Sequence, residues 1–117
     1  MVLVLDGDFM YPIREYYENI PFDIDGNEVS IDLKNELRKW LSNYSKFTVM
    51  TIEELSNHSE TIDSLDKQGI ELLKQFHVEL SKNNELDKLY YFSLCKDKFL
   101  FAINKDGRNR VFDNEEE

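Results

Sequence analysis

The chain has 117 residues, enough for one domain around one core and too few for a core plus a separate lid. Hydrophobic residues make up 41% and aromatics 13%, led by eight Phe and six Tyr, which argues against a disordered acidic tail and for a packed sheet-and-helix domain. The 24 Asp+Glu against 14 Lys+Arg leave a formal charge of −10, so nucleic acid and anionic membranes are not expected partners, whereas a basic protein surface would be attracted.

Cys95 is the only cysteine, which excludes an internal disulfide and a cysteine metal cluster. Beside an apolar strand it is expected to act as a small buried hydrophobe. No apolar run approaches membrane-spanning length, and no basic segment followed by a signal-type apolar stretch opens the chain. The expected location is the cytoplasm.

Taken in chain order, residues 1–5 read as a short apolar strand that ends in an Asp6-Gly7-Asp8 turn. Residues 9–21 are aromatic and are broken at Tyr11-Pro12 and Ile20-Pro21. FDIDGNEVSI alternates, with Phe22 and Ile24 before Asp25-Gly26-Asn27 and Val29 and Ile31 after it, which predicts two short strands joined by an Asp-Gly turn. A helix follows over residues 32–44, with Ser30 or Asp32 as N-cap and Leu33, Leu37, Trp40, Leu41 and Tyr44 on one face.

Residues 47–50 fit a strand or an ordered loop. Thr51-Ile52-Glu53-Glu54 is a capping box that opens a short helix ending near Asn57-His58. The longest element is a helix over residues 61–82, with Ile62, Leu65, Gly69, Leu72, Leu73, Phe76 and Leu80 as a continuous stripe. Gly69 lies on that stripe at about 1 kcal/mol of helix propensity relative to Ala, which predicts the close approach of another element, a sheet or the Trp40 helix. Asn83-Asn84 end it. Residues 89–94, 99–103 and 110–112 are strands, the last after an Asp106-Gly107 turn, and residues 113–117 form a frayed acidic tail. The expected fold is a single α+β domain spanning residues 1–117. It would be a two-layer sandwich of a mostly antiparallel sheet, two main helices on one face and a C-terminal three-stranded meander.

Chemistry finds little support. Asp6-x-Asp8 after an apolar run begins like a haloacid-dehalogenase-type phosphatase, a remote magnesium-dependent reading in which Asp6 would be the nucleophile. Met10 stands where that pattern needs a hydroxyl, and no downstream acidic pair follows. Counted from Asp23, the glycine and glutamate positions of a calcium loop fall on Glu28 and Lys34, so that match fails. His58 and His77 have no paired cysteine and no HExxH spacing, and His77 is expected off the apolar stripe and partly exposed. There is no phosphate loop. Neither a cofactor, nor a metal, nor a catalytic constellation is expected, and the chain reads as a non-enzyme.

Charge patterning says more. Residues 47–66 contain no Lys or Arg, yet Glu53, Glu54, Glu60, Asp63 and Asp66 all lie there. Acids near helix N-termini offset unsatisfied amides, which explains Glu53, Glu54 and Asp63 but not the missing bases. Residues 1–36 form a second acidic block, nine acids against Arg14 and Lys34. The first set predicts an acidic partner-binding face, with Asp6 and Asp8 as a second choice.

The middle of the chain resembles immunity proteins of bacterial polymorphic toxin systems, including those of contact-dependent growth inhibition. The resemblance runs from Phe22 to Phe92. It rests on an Asp-Gly turn, a helix with Trp40 and Tyr44 four apart, a long helix carrying Leu65, Asp66, Gly69, Leu72, Phe76, Glu79 and Leu80, and the paired aromatics Tyr90 and Tyr91. It implies a cytoplasmic, non-enzymatic inhibitor of one cognate toxin domain, expected as a monomer or weak dimer. The toxin would be a basic nuclease, a ribonuclease by preference, occluded by carboxylates that replace substrate phosphates. The alternative is an acidic adaptor or regulatory binding module.

Overall fold

The computed structural model describes residues 2–7, 13–17, 22, 29–80 and 86–112. Its elements are β1 (Val2–Leu5), β2 (Ile13–Glu15), α1 (Ile31–Ser45), α2 (Ile52–Ser56), α3 (Ser59–Leu80), β3 (Lys88–Ser93), β4 (Lys98–Asn104) and β5 (Asn109–Val111). The strands form one sheet in the order β2-β1-β3-β4-β5. Only β1–β3 is parallel; the other three pairings are antiparallel, and β3-β4-β5 is the expected meander. The fold is α+β, with helices layered on the sheet.

Strand β1 is the hinge of this order. Its apolar VLVL run lies between two neighbours, with Leu3 opposite Glu15 on one side and Leu89 on the other. A strand paired on both edges and packed on its face is where continuous hydrophobicity is expected. Leu3, Leu5, Leu89 and Tyr91 turn toward the helices and are buried with Leu37, Trp40, Leu73 and Phe76.

The helical stripes sit as the spacing predicts. Leu33, Leu37, Trp40 and Tyr44 of α1 are buried, and Ile62, Leu65, Leu72, Leu73, Phe76 and Leu80 of α3 face them and the sheet. Ser30 is the N-cap of α1, its Oγ accepting from Leu33 N at 3.2 Å. A second restraint comes from α3: Glu79 accepts from Ser30 N at 2.5 Å and from Ser30 Oγ at 3.0 Å. A carboxylate distant in sequence thus performs what the third-position Glu does in a local capping box. The cap of α2 is local, with Thr51 and Glu54 bonded in both directions.

Three expectations change, and one open alternative is resolved. Val29 is buried but not in a strand, and Ile31 is the first residue of α1, 73% exposed, because Ser30 starts the helix before a second strand can form. Helix α3 begins at Ser59, as its first turn follows directly on α2. Of the strand and ordered loop open to residues 47–50, the loop forms, as turn and bend. Cys95 sits half-buried in the β3–β4 turn rather than in the core. The Asp25-Gly26-Asn27 turn, residues 9–12, Asn83-Asn84 and the acidic tail lie outside the described residues.

Gly69 answers the question its position raised. A Cβ there would stand 2.6 Å from Tyr91 Cε2 and 2.9 Å from Trp40 Cζ2, so both the sheet and α1 reach the backbone of α3 at one point. Both rings are buried and have nowhere to retreat. Gly69→Ala is therefore expected to destabilise the fold by about 1–3 kcal/mol of overpacking, reduced by the ~1 kcal/mol gained in helix propensity. Urea unfolding followed by tryptophan fluorescence measures the balance; a stabilised variant would refute the close approach.

Candidate functional site

Helix α2 buries no residue. It is held by its caps and by half-buried Leu55, and it presents Ile52 to solvent at 86% exposure beside Val49 at 85%. Two large aliphatic side chains this exposed, close in sequence on one short helix and the turn before it, are not needed by the core. The same stretch carries Glu53, Glu54 and Glu60, all exposed, with Asp63 one turn further along α3. Glu54 is engaged by Thr51, its Oε1 lying 3.1 Å from the Oγ1. Among the described residues no basic side chain pairs with Glu53, Glu54 or Glu60. The corner combines exposed apolar side chains with exposed acids.

For two of the five acids of residues 47–66, tertiary structure supplies the base that the local sequence lacks. Lys96, in the β3–β4 turn, bonds Asp63 at 2.5 Å and Asp66 at 3.2 Å. Burial disfavours the charge on Lys96, but the hydrogen bond it donates to Asp63 and the field of Asp66 outweigh it and raise its pKa above the ordinary lysine value. Asp63 keeps over half of its side chain exposed, at 55%, so it belongs to the exposed acids only as one half of a pair.

Asp66 is not part of an acidic face. It is buried, accepting from Tyr91 Oη at 2.6 Å and Ser93 Oγ at 3.1 Å. The network continues outward: Tyr44 Oη lies 3.1 Å from Ser93 Oγ and accepts from Cys95 N at 3.3 Å. Trp40 Nε1 donates to Leu65 O at 2.8 Å, one residue before Asp66. Among the described residues no buried side-chain polar atom lacks a partner. An aspartate inside a helix, one position after a stripe leucine, is legible as charge but not as burial; only the two tyrosines and the serine on other elements make it a core residue.

Asp6 is likewise buried, at 1% exposure, and ion-paired with Arg14 of β2. Gly7 follows in a positive-φ conformation, where a Cβ would run into the Tyr44 ring. A nucleophilic carboxylate must meet its substrate, so this buried and ion-paired Asp6 gives the phosphatase reading no support. Asp8 lies outside the described residues. His77 departs from expectation as well: it is 8% exposed, with Nε2 at 3.2 Å from Lys105 O, and so ties α3 to the end of β4. Among the described residues no cluster of His, Cys, Asp or Glu is arranged to hold a metal, and no helix is long and apolar enough to cross a membrane.

No family model matches the chain, and no curated protein and no solved structure matches it either.

Burial, followed by the field of Asp66, pushes the hydroxyls of Tyr44 and Tyr91 far above the ordinary tyrosine range. The folded protein holds these two protons more tightly than the unfolded chain does, so their contribution is complete below the unfolded value of about 10 and declines as pH rises above it. Urea midpoints are expected to hold constant up to about pH 9 and to fall beyond about pH 10, with two tyrosines ionising only as the protein unfolds. Tyrosinate absorbance recorded alongside circular dichroism checks this. Removing the acceptor by Asp66→Ala should cost about 1–3 kcal/mol for each of the two buried hydroxyls left without it.

Proposed function

We propose that this protein is an immunity protein that binds one cognate toxin domain and blocks its active site, with the α2 corner as the contact surface. The observation that carries the reading is the composition of that corner. Exposed Val49 and Ile52 lie close in sequence to exposed Glu53, Glu54 and Glu60, around a short helix that has no fully buried residue and touches the core only through half-buried Leu55. Tight protein inhibitors place a few apolar anchors at the interface centre, where they slow dissociation, and charges at the rim, where they steer encounter. A formal charge of −10 adds a long-range attraction toward a basic partner.

A basic toxin domain, a nuclease and by preference a ribonuclease, is the partner that such a surface fits. An active site built to hold phosphates presents arginines and lysines, and carboxylates at suitable spacing satisfy them without being turned over. The resemblance of residues 22–92 to immunity proteins of polymorphic toxin systems points the same way. An acidic adaptor would use the same corner, and the two readings part on what binds it.

Co-expression decides between them. Cells carrying the toxin domain encoded next to this gene should survive when the protein is present and die when it is absent; equal death in both sinks the proposal. The surface itself is tested by kinetics. Glu53→Lys/Glu60→Lys is expected to slow association at low salt about tenfold or more and to flatten its salt dependence. Ile52→Ala should raise the dissociation rate with little effect on association. A complex indifferent to all three changes would place the contact elsewhere on the molecule.

A further inference from the structure

The face of the sheet turned away from the helices is aromatic. Val4 of β1 pairs with Arg14 of β2 on one side and with Tyr90 of β3 on the other, and Tyr90 pairs with Ala102 of β4. Directly opposed residues share a face, and Leu3 and Leu5 on either side of Val4 point into the core, so this row points outward. Beyond it a register shift between Tyr91 and Phe92 sets Phe92 opposite Phe99, with ring centroids 4.9 Å apart. The Tyr16 ring, just past the end of β2, stands 5.4 Å from the Tyr90 ring and 6.0 Å from Phe99. A sheet face without a covering layer ordinarily alternates to polar residues, and this one does not.

Val4, Asp6, Arg14, Tyr16, Phe92 and Phe99 line a cavity of about 200 Å³ on that face. Its two charged residues are ion-paired with one another, and each has a further interaction besides. Both charges are thus compensated within the protein. Among the described residues no buried side-chain polar atom lacks a partner, so nothing at this wall calls for a hydrogen bond from outside. What the cavity offers a guest is the surface of one aliphatic and three aromatic side chains.

We propose that this cavity binds a small, neutral, single-ring aromatic molecule, held by Tyr16, Phe92 and Phe99 and drawing none of its affinity from Arg14. Size sets the upper limit. At about 200 Å³ the cavity falls below the ~300–1,000 Å³ of drug-sized sites, yet an apolar cavity of ~150 Å³ already admits benzene. The walls set the shape of the guest: aromatic rings favour a flat partner in offset or edge-on contact, with centroids ~4.5–7 Å apart. Tyr16, Phe92 and Phe99 already stand to their neighbouring rings within that range. The compensated pair sets the charge of the guest. A carboxylate or an ammonium would leave water for a wall whose own charges are satisfied, and would find no counter-ion there. The cavity is separate from the α2 corner and does not depend on the identity of the partner bound there.

Benzyl alcohol, benzoate, benzylamine and cyclohexylmethanol, titrated into the unaltered protein and followed by two-dimensional amide NMR, test the proposal. Benzyl alcohol should shift the resonances of residues 4, 14–16, 92 and 99 saturably, with a dissociation constant of about 1 mM or tighter. Benzoate and benzylamine should each bind at least about tenfold more weakly, because neither sign of charge meets a counter-ion. Cyclohexylmethanol keeps the size without the flat ring and should bind about threefold more weakly or worse. Phe92→Ala should weaken benzyl alcohol about tenfold. Tyr16→Ala, at a position 40% exposed and so least able to disturb the fold, should weaken it at least about threefold with the rest of the spectrum in place. Arg14→Lys, which keeps a cation beside Asp6, should leave the affinity within about threefold. Benzoate or benzylamine binding as tightly as the alcohol, shifts centred away from these residues, or no saturable shift with benzyl alcohol overturns the assignment.

Discussion

The carboxylate of Asp66 sets the distance and the register at which α3 lies on β3. It is the only group on the helix that both Tyr91 and Ser93 of the strand bond, and it reaches the following turn through Lys96. A buried acid is costly unless its lone pairs are filled, and here they are filled by groups whose own positions depend on the strand. Sliding the helix by one residue would leave the hydroxyls and the acid apart. Three residues later Gly69 removes the last obstacle to contact, so the polar bond fixes the register and the glycine fixes the separation. Trp40, wedged against both Leu65 O and Gly69, brings α1 into the same arrangement.

The charge of the molecule is divided by this architecture. The acids that are indispensable to the fold, Asp6 and Asp66, are buried and paired, while Glu53 and Glu60 stand in solvent with no structural duty beyond the helix dipole. Structural acids are costly to change. Those on the surface can vary in number and position with little effect on the core, as a surface fitted to one particular partner would require. On the far side of the sheet the order is reversed: cations lie over aromatic rings. One chain thus carries two chemically opposite surfaces on either side of a single sheet.

Helices and strands were legible where period and propensity agreed. The α1 and α3 stripes, the capping box at Thr51, the meander and the reason for Gly69 could all be read from spacing, because each depends on neighbours within a turn or on the side chain's mere absence. What could not be read depends on partners far along the chain. Nothing local distinguishes Asp63, a surface acid, from Asp66, a core acid three residues on; the difference lies in Tyr91, Ser93 and Lys96. His77 is hidden by Lys105, and Ser30 is locked by Glu79. The acidic corner was half-visible as a stretch without bases. The exposed Val49 and Ile52 that belong to it were not, since an apolar residue in sequence is first taken for core.

The position of β1 also has a consequence for the order of events during synthesis. This strand is made first, and it is the most apolar of the five, yet its parallel partner β3 begins only at Lys88, after all three helices have been built. Until then its sole strand neighbour is the three-residue β2, and one edge of VLVL is open. Parallel pairing across so much chain is slow to close, and an open apolar edge is what other chains add to. The nascent protein therefore passes through an interval in which its central strand is present and unprotected. The Asp6–Arg14 pair sits at the end of that strand, where a charge interrupts the apolar run and limits how far a foreign strand could extend along it.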